Sequence, residues 1–256
     1  MFDSAVASPK LVFLHIPKTA GQTIHNELTR AVGAGQTSPV RVHTQVSDGL
    51  AQFPEGFRLY SGHLDWTALD HVPNPRFVFS ILRDPKERIA SFYFYLRDQA
   101  QKLTPQELDL PQNLGKKAAL RLTADAYFFG GNDAWRAFIH DHYDNFYCRY
   151  FASRRIRAGL GFTKLPERRK LRMALRNLEQ VDWVYSVDNL KALEEDLHTL
   201  FGFDVNLTSK RDNAGIHPTD QARWPKLLEQ FETDTARRKI ESYVRLDTEL
   251  MKHMEW

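Results

Sequence analysis

The residues able to do chemistry fall in three short stretches, and the first is Leu14-His15-Ile16-Pro17-Lys18-Thr19-Ala20-Gly21-Gln22-Thr23. Here a buried apolar run gives way to the pattern of an amphipathic helix. Backbone N–H groups at a helix start lack intrahelical acceptors, and the dipole adds about half a positive charge there. Such a junction binds anions, phosphate groups above all. Lys18 adds a full charge, Thr19 and Thr23 add hydroxyl donors, Ala20 and Gln22 complete the turn, and Gly21 allows an anion to approach the backbone closely. The stretch is not a Walker A loop, whose lysine follows its second glycine, because Lys18 precedes the loop's only glycine. The competing reading makes Lys18 a surface residue and Gly21 an ordinary turn.

The second stretch, Arg83-Asp84-Pro85-Lys86-Glu87-Arg88-Ile89-Ala90-Ser91, directly follows the apolar run Phe77–Leu82. Proline suits the first turn of a helix, where its missing N–H costs nothing. Arg83 then stands at the carboxyl end of a strand, where open parallel sheets bind ligands. Its guanidinium can hold a phosphate through two parallel N–H bonds, and Ser91, two turns along the helix, can donate another. Arg88 fits either an anion contact or a structural tie to Asp84 or a loop.

The third stretch, Tyr60-Ser61-Gly62-His63-Leu64-Asp65-Trp66-Thr67, ends a strand and enters a turn. A neutral imidazole at His63 would serve as a base near pH 7, though a histidine beside a tryptophan is also a common packing element. Trp66 either stacks on a sugar ring or fills the core.

Together the first two stretches resemble the 5′-phosphosulfate loop and the 3′-phosphate motif of the PAPS-dependent sulfotransferases, in particular the carbohydrate branch that includes the heparan sulfate 6-O- and 2-O-sulfotransferases. The likeness is firm over Leu11–Arg97 and faint from Asn145 onward. It implies a P-loop-like three-layer fold with a central parallel sheet, PAPS as donor with PAP as product, and no metal. The loop from Lys18 to Thr23 would hold the 5′-phosphosulfate, and Arg83 with Ser91 the 3′-phosphate. The segment around His63 is similar to the 6-O enzymes' His-Asp-Trp-Thr stretch, which makes His63 the implied catalytic base and Lys18 the cation that neutralises the leaving phosphate. The 2-O relatives carry a second histidine where this chain has Ser61. Asn145 and Arg149 resemble an asparagine-arginine element of the family, and Lys210-Arg211-Asp212-Asn213 resembles a late donor-binding loop, with Arg211 as its cation.

The elements that must position these groups follow from periodicity. Strand-like runs occur at Leu11–Ile16, Arg76–Leu82 and Asp182–Val187, with weaker ones at Val40–Thr44 and Phe57–Ser61. Helical patterns lie between them, with Ile24, Leu28, Ala31 and Val32 on one face and Leu190, Leu193, Leu197, Leu200 and Phe201 on another. This alternation predicts an α/β fold with a parallel sheet covered by helices, in one domain spanning 1–256. Residues 97–179 read as mostly helical, Thr104–Gly115 as a loop because of Pro105 and Pro111, and the apolar residues from Trp224 to Met251 as two closing helices.

The 256 residues, 42% hydrophobic and 26% charged, exclude general disorder. Net charge is only +3, yet Arg149–Arg172 holds nine Lys and Arg residues against Glu167 alone, so the rest of the chain is net acidic. That window, with Arg154 and Arg155, would attract an anionic acceptor, or it is the solvated face of a helix whose other side carries Leu171, Ala174, Leu175 and Leu178. His140-Asp141-His142 has the residue types of metal ligands, but alternating helical residues diverge, which favours a surface role. Cys148 is the only cysteine, and Met1–Lys10 lacks the basic start and apolar core of a signal peptide. These features place the chain in the cytoplasm, with a flexible start, no membrane span and an unused sequon at Asn206. The expected partner is a hydroxyl-bearing acceptor, a carbohydrate above all, and not a nucleic acid. Two rivals remain open: a nucleotide-dependent kinase on the same fold, and a non-catalytic polyanion-binding protein using the basic window.

Overall fold

The computed structural model describes residues 9–209 and 222–254. They divide into two compact units. The first runs through Arg83 and is joined by Arg154–Ile156 and the segment from Arg176; the second comprises Asp84–Ser153, Arg157–Leu175 and the carboxyl-terminal helices.

The first unit is built on a four-stranded, all-parallel sheet of order β2-β1-β3-β4, with β1 Lys10–Leu14, β2 Leu59–Gly62, β3 Arg76–Leu82 and β4 Trp183–Ser186. β1 reads as an unbroken apolar run because both of its faces are covered, leaving Leu11, Val12, Phe13 and Leu14 buried. Phe13 lies opposite Phe79 in the β1–β3 register, and their rings stack at 4.8 Å. Helix α1 (Gly21–Val32) adds Ile24 and Leu28 to this core, and the helix Leu190–Phe201 adds Leu193 and Leu197. Full burial of each such side chain contributes about 1.5–3 kcal/mol relative to exposure.

The expected strand at Val40–Thr44 does not form. Only Val42 bridges to His63, and His43–Gln45 is a 3-10 turn. The Gln45 side-chain oxygen accepts from the N–H groups of Arg41 (2.6 Å) and Val42 (2.7 Å), which removes both donors from any ladder.

In the second unit, helix α2 (Pro85–Gln101) begins with Pro85 in its first turn and with Asp84 accepting from the Glu87 N–H at 2.9 Å. Tyr93, Tyr127, Phe128 and Tyr143 form an aromatic core with Trp224 and Phe231. Thr104–Gly115 is not a plain loop: Thr104 and Glu107 cap each other around a helical turn at Pro105–Leu108, and a 3-10 turn follows at Pro111–Asn113. Both prolines take first-turn positions, where they start helices rather than break them. The closing segment holds three helices instead of two, Arg223–Leu228, Asp234–Ile240 and Arg245–His253, because Thr233 caps a new start. Among the described residues no helix is long and apolar enough to cross a membrane.

α1 is pinned to β2 through a buried histidine. His25 Nδ1 lies 3.0 Å from Ser61 Oγ, and burial, helped by the Arg41 cation, lowers the His25 pKa from 6.5 to about 4. An unfolded chain therefore binds a proton at His25 that the folded one refuses. Its stabilising contribution is complete above pH 6.5 and is lost as pH falls towards 4. Between pH 7 and pH 5 this group should cost the fold about 2 kcal/mol. Urea unfolding should show that His25→Gln has a flatter stability profile over this range than the wild type, and parallel profiles would refute the assignment.

Candidate active site

The parallel register brings three strand ends together. Leu14 pairs with Gly62 on one side and with Ser80 on the other, so the chain leaves β1 at His15, β2 at His63 and β3 at Arg83, all at one end of the sheet. β1 connects through α1 to β2 on one flank, while β3 lies on the opposite flank. The strand order thus reverses between β1 and β3, where open parallel sheets form their ligand crevice.

The loop after β1 has two residues in the left-handed region, Lys18 (φ 74°) and Ala20 (φ 60°), neither of them glycine. Together they turn the chain so that α1 starts at Gly21, with no side-chain cap and no acid in its first turn. No carboxylate occurs between His15 and Asn26. This donor set fits a phosphate or sulfate group.

Each loop side chain has its own place. Lys18 is half-buried, and its charge acts on both His15 and His63. Thr19 is fully buried, and its Oγ1 donates to the Ile16 carbonyl at 2.8 Å. The expectation of a Thr19 hydroxyl donating to an anion is therefore corrected: that proton closes the turn. Gln22 Nε2 donates to Asn26 Oδ1 at 2.8 Å on the exposed face of α1, and Thr23 is buried.

His63 follows β2 directly. Its N–H donates to the Arg41 carbonyl and its carbonyl accepts from the His43 N–H, both at 2.8 Å. Its Nδ1 lies 2.8 Å from the His15 carbonyl, which can only accept, so Nδ1 carries the proton and Nε2 keeps its lone pair. Burial lowers the His63 pKa from 6.5; the His15 carbonyl opposes this, while the charges of Arg41, His43 and Lys18 reinforce it. The ring is a neutral imidazole of one tautomer with a free basic nitrogen at neutral pH, the state a general base requires.

Two neighbours of His63 went unassigned in the sequence. His15 is buried, with its pKa held well below the ordinary value mainly by burial. Its place two residues ahead of Pro17 in the anion loop was a usable signal. Arg41 acts electrostatically on His15, His25 and His63. It reaches them through the bridge between Val42 and His63, a pairing that leaves no local trace in sequence.

The remaining candidates separate by burial. Arg83 is half-buried at the end of β3 in the first unit, and Ser91 is 8% exposed on α2 in the second. Arg88 is structural: it is 1% exposed, Nη2 donates to the His142 carbonyl at 2.6 Å, and its guanidinium lies 4.4 Å over the Phe146 ring. Trp66 is fully buried, with the Arg154 guanidinium 4.6 Å over its ring, so neither residue presents the face expected for an acceptor. Asn145 spends its amide within the second unit, donating to Asp144 Oδ1 and the Ser242 carbonyl and accepting from the Leu246 N–H. Arg149 is 4% exposed and pairs with Asp141 at 2.5 Å. Both are core elements rather than acceptor contacts. His140 pairs with Asp144 at 2.8 Å, so the His140-Asp141-His142 run is committed to side-chain pairs and to the Arg88 contact. Arg155 is exposed. Arg211 lies outside the described residues.

Comparison with known proteins bears directly on this geometry. No curated protein matches the chain. The model of the sulfotransferase family matches residues 6–129, a span that holds β1, the anion loop, His63, Arg83 and Ser91. By that match, the segment carrying the anion loop and its neighbouring imidazole is similar to the sulfotransferase family.

Proposed function

We propose that the chain moves a sulfuryl group from PAPS to a hydroxyl of a carbohydrate or glycoconjugate acceptor. The observation that carries this reading is the single tautomer of His63, with Nδ1–H given to the His15 carbonyl and Nε2 free, beside a carboxylate-free loop that holds Lys18. The family match supports sulfotransfer as the reaction class.

PAPS, when bound, supplies the sulfuryl group, and the protein supplies position and charge. Lys18 and the backbone N–H groups at the start of α1 hold the 5′-phosphosulfate, with Thr23 beside them. Arg83 takes the 3′-phosphate through its planar fork, and the spacing of the motif adds Ser91 to that role. With PAPS bound, His63 Nε2 would accept the proton of the acceptor hydroxyl as that oxygen bonds to sulfur and the bond from sulfur to the 5′-phosphate oxygen breaks, leaving PAP. Lys18 stabilises the negative charge that then accumulates at the loop. Exposed Arg155, Arg157, Arg168, Arg169 and Arg172 support an anionic acceptor by long-range attraction.

Calorimetry with PAP should show the affinity of Lys18→Ala and of Arg83→Ala reduced roughly tenfold or more. Wild-type affinity in a folded variant would remove that residue from the site. His63→Ala should bind PAP normally while transfer from labelled PAPS falls by about 10²–10⁴. The acid limb of the wild-type kcat/KM profile should lie below pH 6.5, the side to which burial moves this imidazole. Undiminished turnover in His63→Ala would end its role as base.

A further inference from the structure

The anion loop and the base share one side chain. The His15 ring lies 4.2 Å from the His63 ring, centroid to centroid, and 5.3 Å from that of Phe13, and only 8% of the residue is exposed. On the loop side it meets Gly21 so closely that a Cβ there would lie only 1.9–2.3 Å from Nε2, Cδ2 and Cε1. A buried ring packed against both Phe13 and His63 cannot swing aside cheaply.

Gly21 does not owe its identity to backbone conformation. The left-handed positions of the loop are Lys18 and Ala20, and Gly21 is an ordinary first-turn helical residue that alanine would suit better on propensity alone. What the position excludes is a side chain, and the atoms excluding it belong to His15.

We propose that His15 is a positioning residue for His63, a spacer wedged between the start of α1 and the base, and that Gly21 is glycine to admit this spacer rather than to admit a phosphate. This rests on His63 serving as the base. Loop and base are then set by one contact: whatever moves the first helical turn moves the His15 ring, and with it the His63 imidazole tilted against it.

A double-mutant cycle over Gly21→Ala and His15→Ala tests this, with kcat, PAP affinity and the ¹⁵N spectrum of the His63 imidazole as readouts. The spectrum reports the tautomer without donor or acceptor. Gly21→Ala should lower kcat at least tenfold and blur the Nδ1–H signature of His63, and His15→Ala should do likewise while PAP affinity stays within threefold. In the His15→Ala background, adding Gly21→Ala should change kcat and PAP affinity by no more than twofold, because the Cβ has no ring to strike. An equal loss from Gly21→Ala in both backgrounds would overturn the proposal, as would wild-type kcat and an unaltered His63 spectrum in His15→Ala. If the wild type neither bound PAP nor transferred sulfuryl groups, the sulfotransfer reading would fail, and the ¹⁵N arm would still decide whether His15 places His63.

Discussion

The site depends on one hydrogen bond across the ends of two parallel strands. Because Leu14 and Gly62 are in register, the next residue of each strand emerges beside the other, and the His15 carbonyl comes within 2.8 Å of His63 Nδ1. A carbonyl has no proton to give, so this contact chooses the tautomer of the ring without any acidic partner. Many histidine bases are oriented by a carboxylate, which also raises their pKa. A backbone carbonyl orients with far less charge, and burial then keeps the ring neutral.

The surroundings reinforce that state. Lys18 and Arg41 both disfavour a second proton on His63, and as cations they also favour anions nearby. One set of cations therefore serves two needs, an unprotonated base and a field that favours anions. The close packing of His15 against the glycine at the start of α1 links this field to the loop that generates much of it.

Much of this was readable from local pattern. The apolar runs of β1 and β3, the amphipathic face of α1, the Asp84-Pro85 start of α2 and the position of His63 at a strand end all follow from short-range rules, and the structure agrees with them. Non-local facts were out of reach. Trp66, Asn145 and Arg149 have residue types suited to gripping a sugar, but burial decides their roles, and burial is set by distant segments. Arg41 joins the site only through pairing with residue 63. Thr104–Gly115 carried a local signal as well: Thr104-Pro105-Gln106-Glu107 is a capping box with a first-turn proline, so Pro105 starts a helical turn rather than breaking one.

Lys18 and Ala20 hold positive φ angles that L-residues adopt reluctantly, and the turn is locked in place by the Thr19 hydroxyl on the Ile16 carbonyl. The unfavourable torsions are met during folding. The anion binding proposed for this loop would then be a rigid-body event, with little chain entropy left to lose and association governed by diffusion and electrostatic steering.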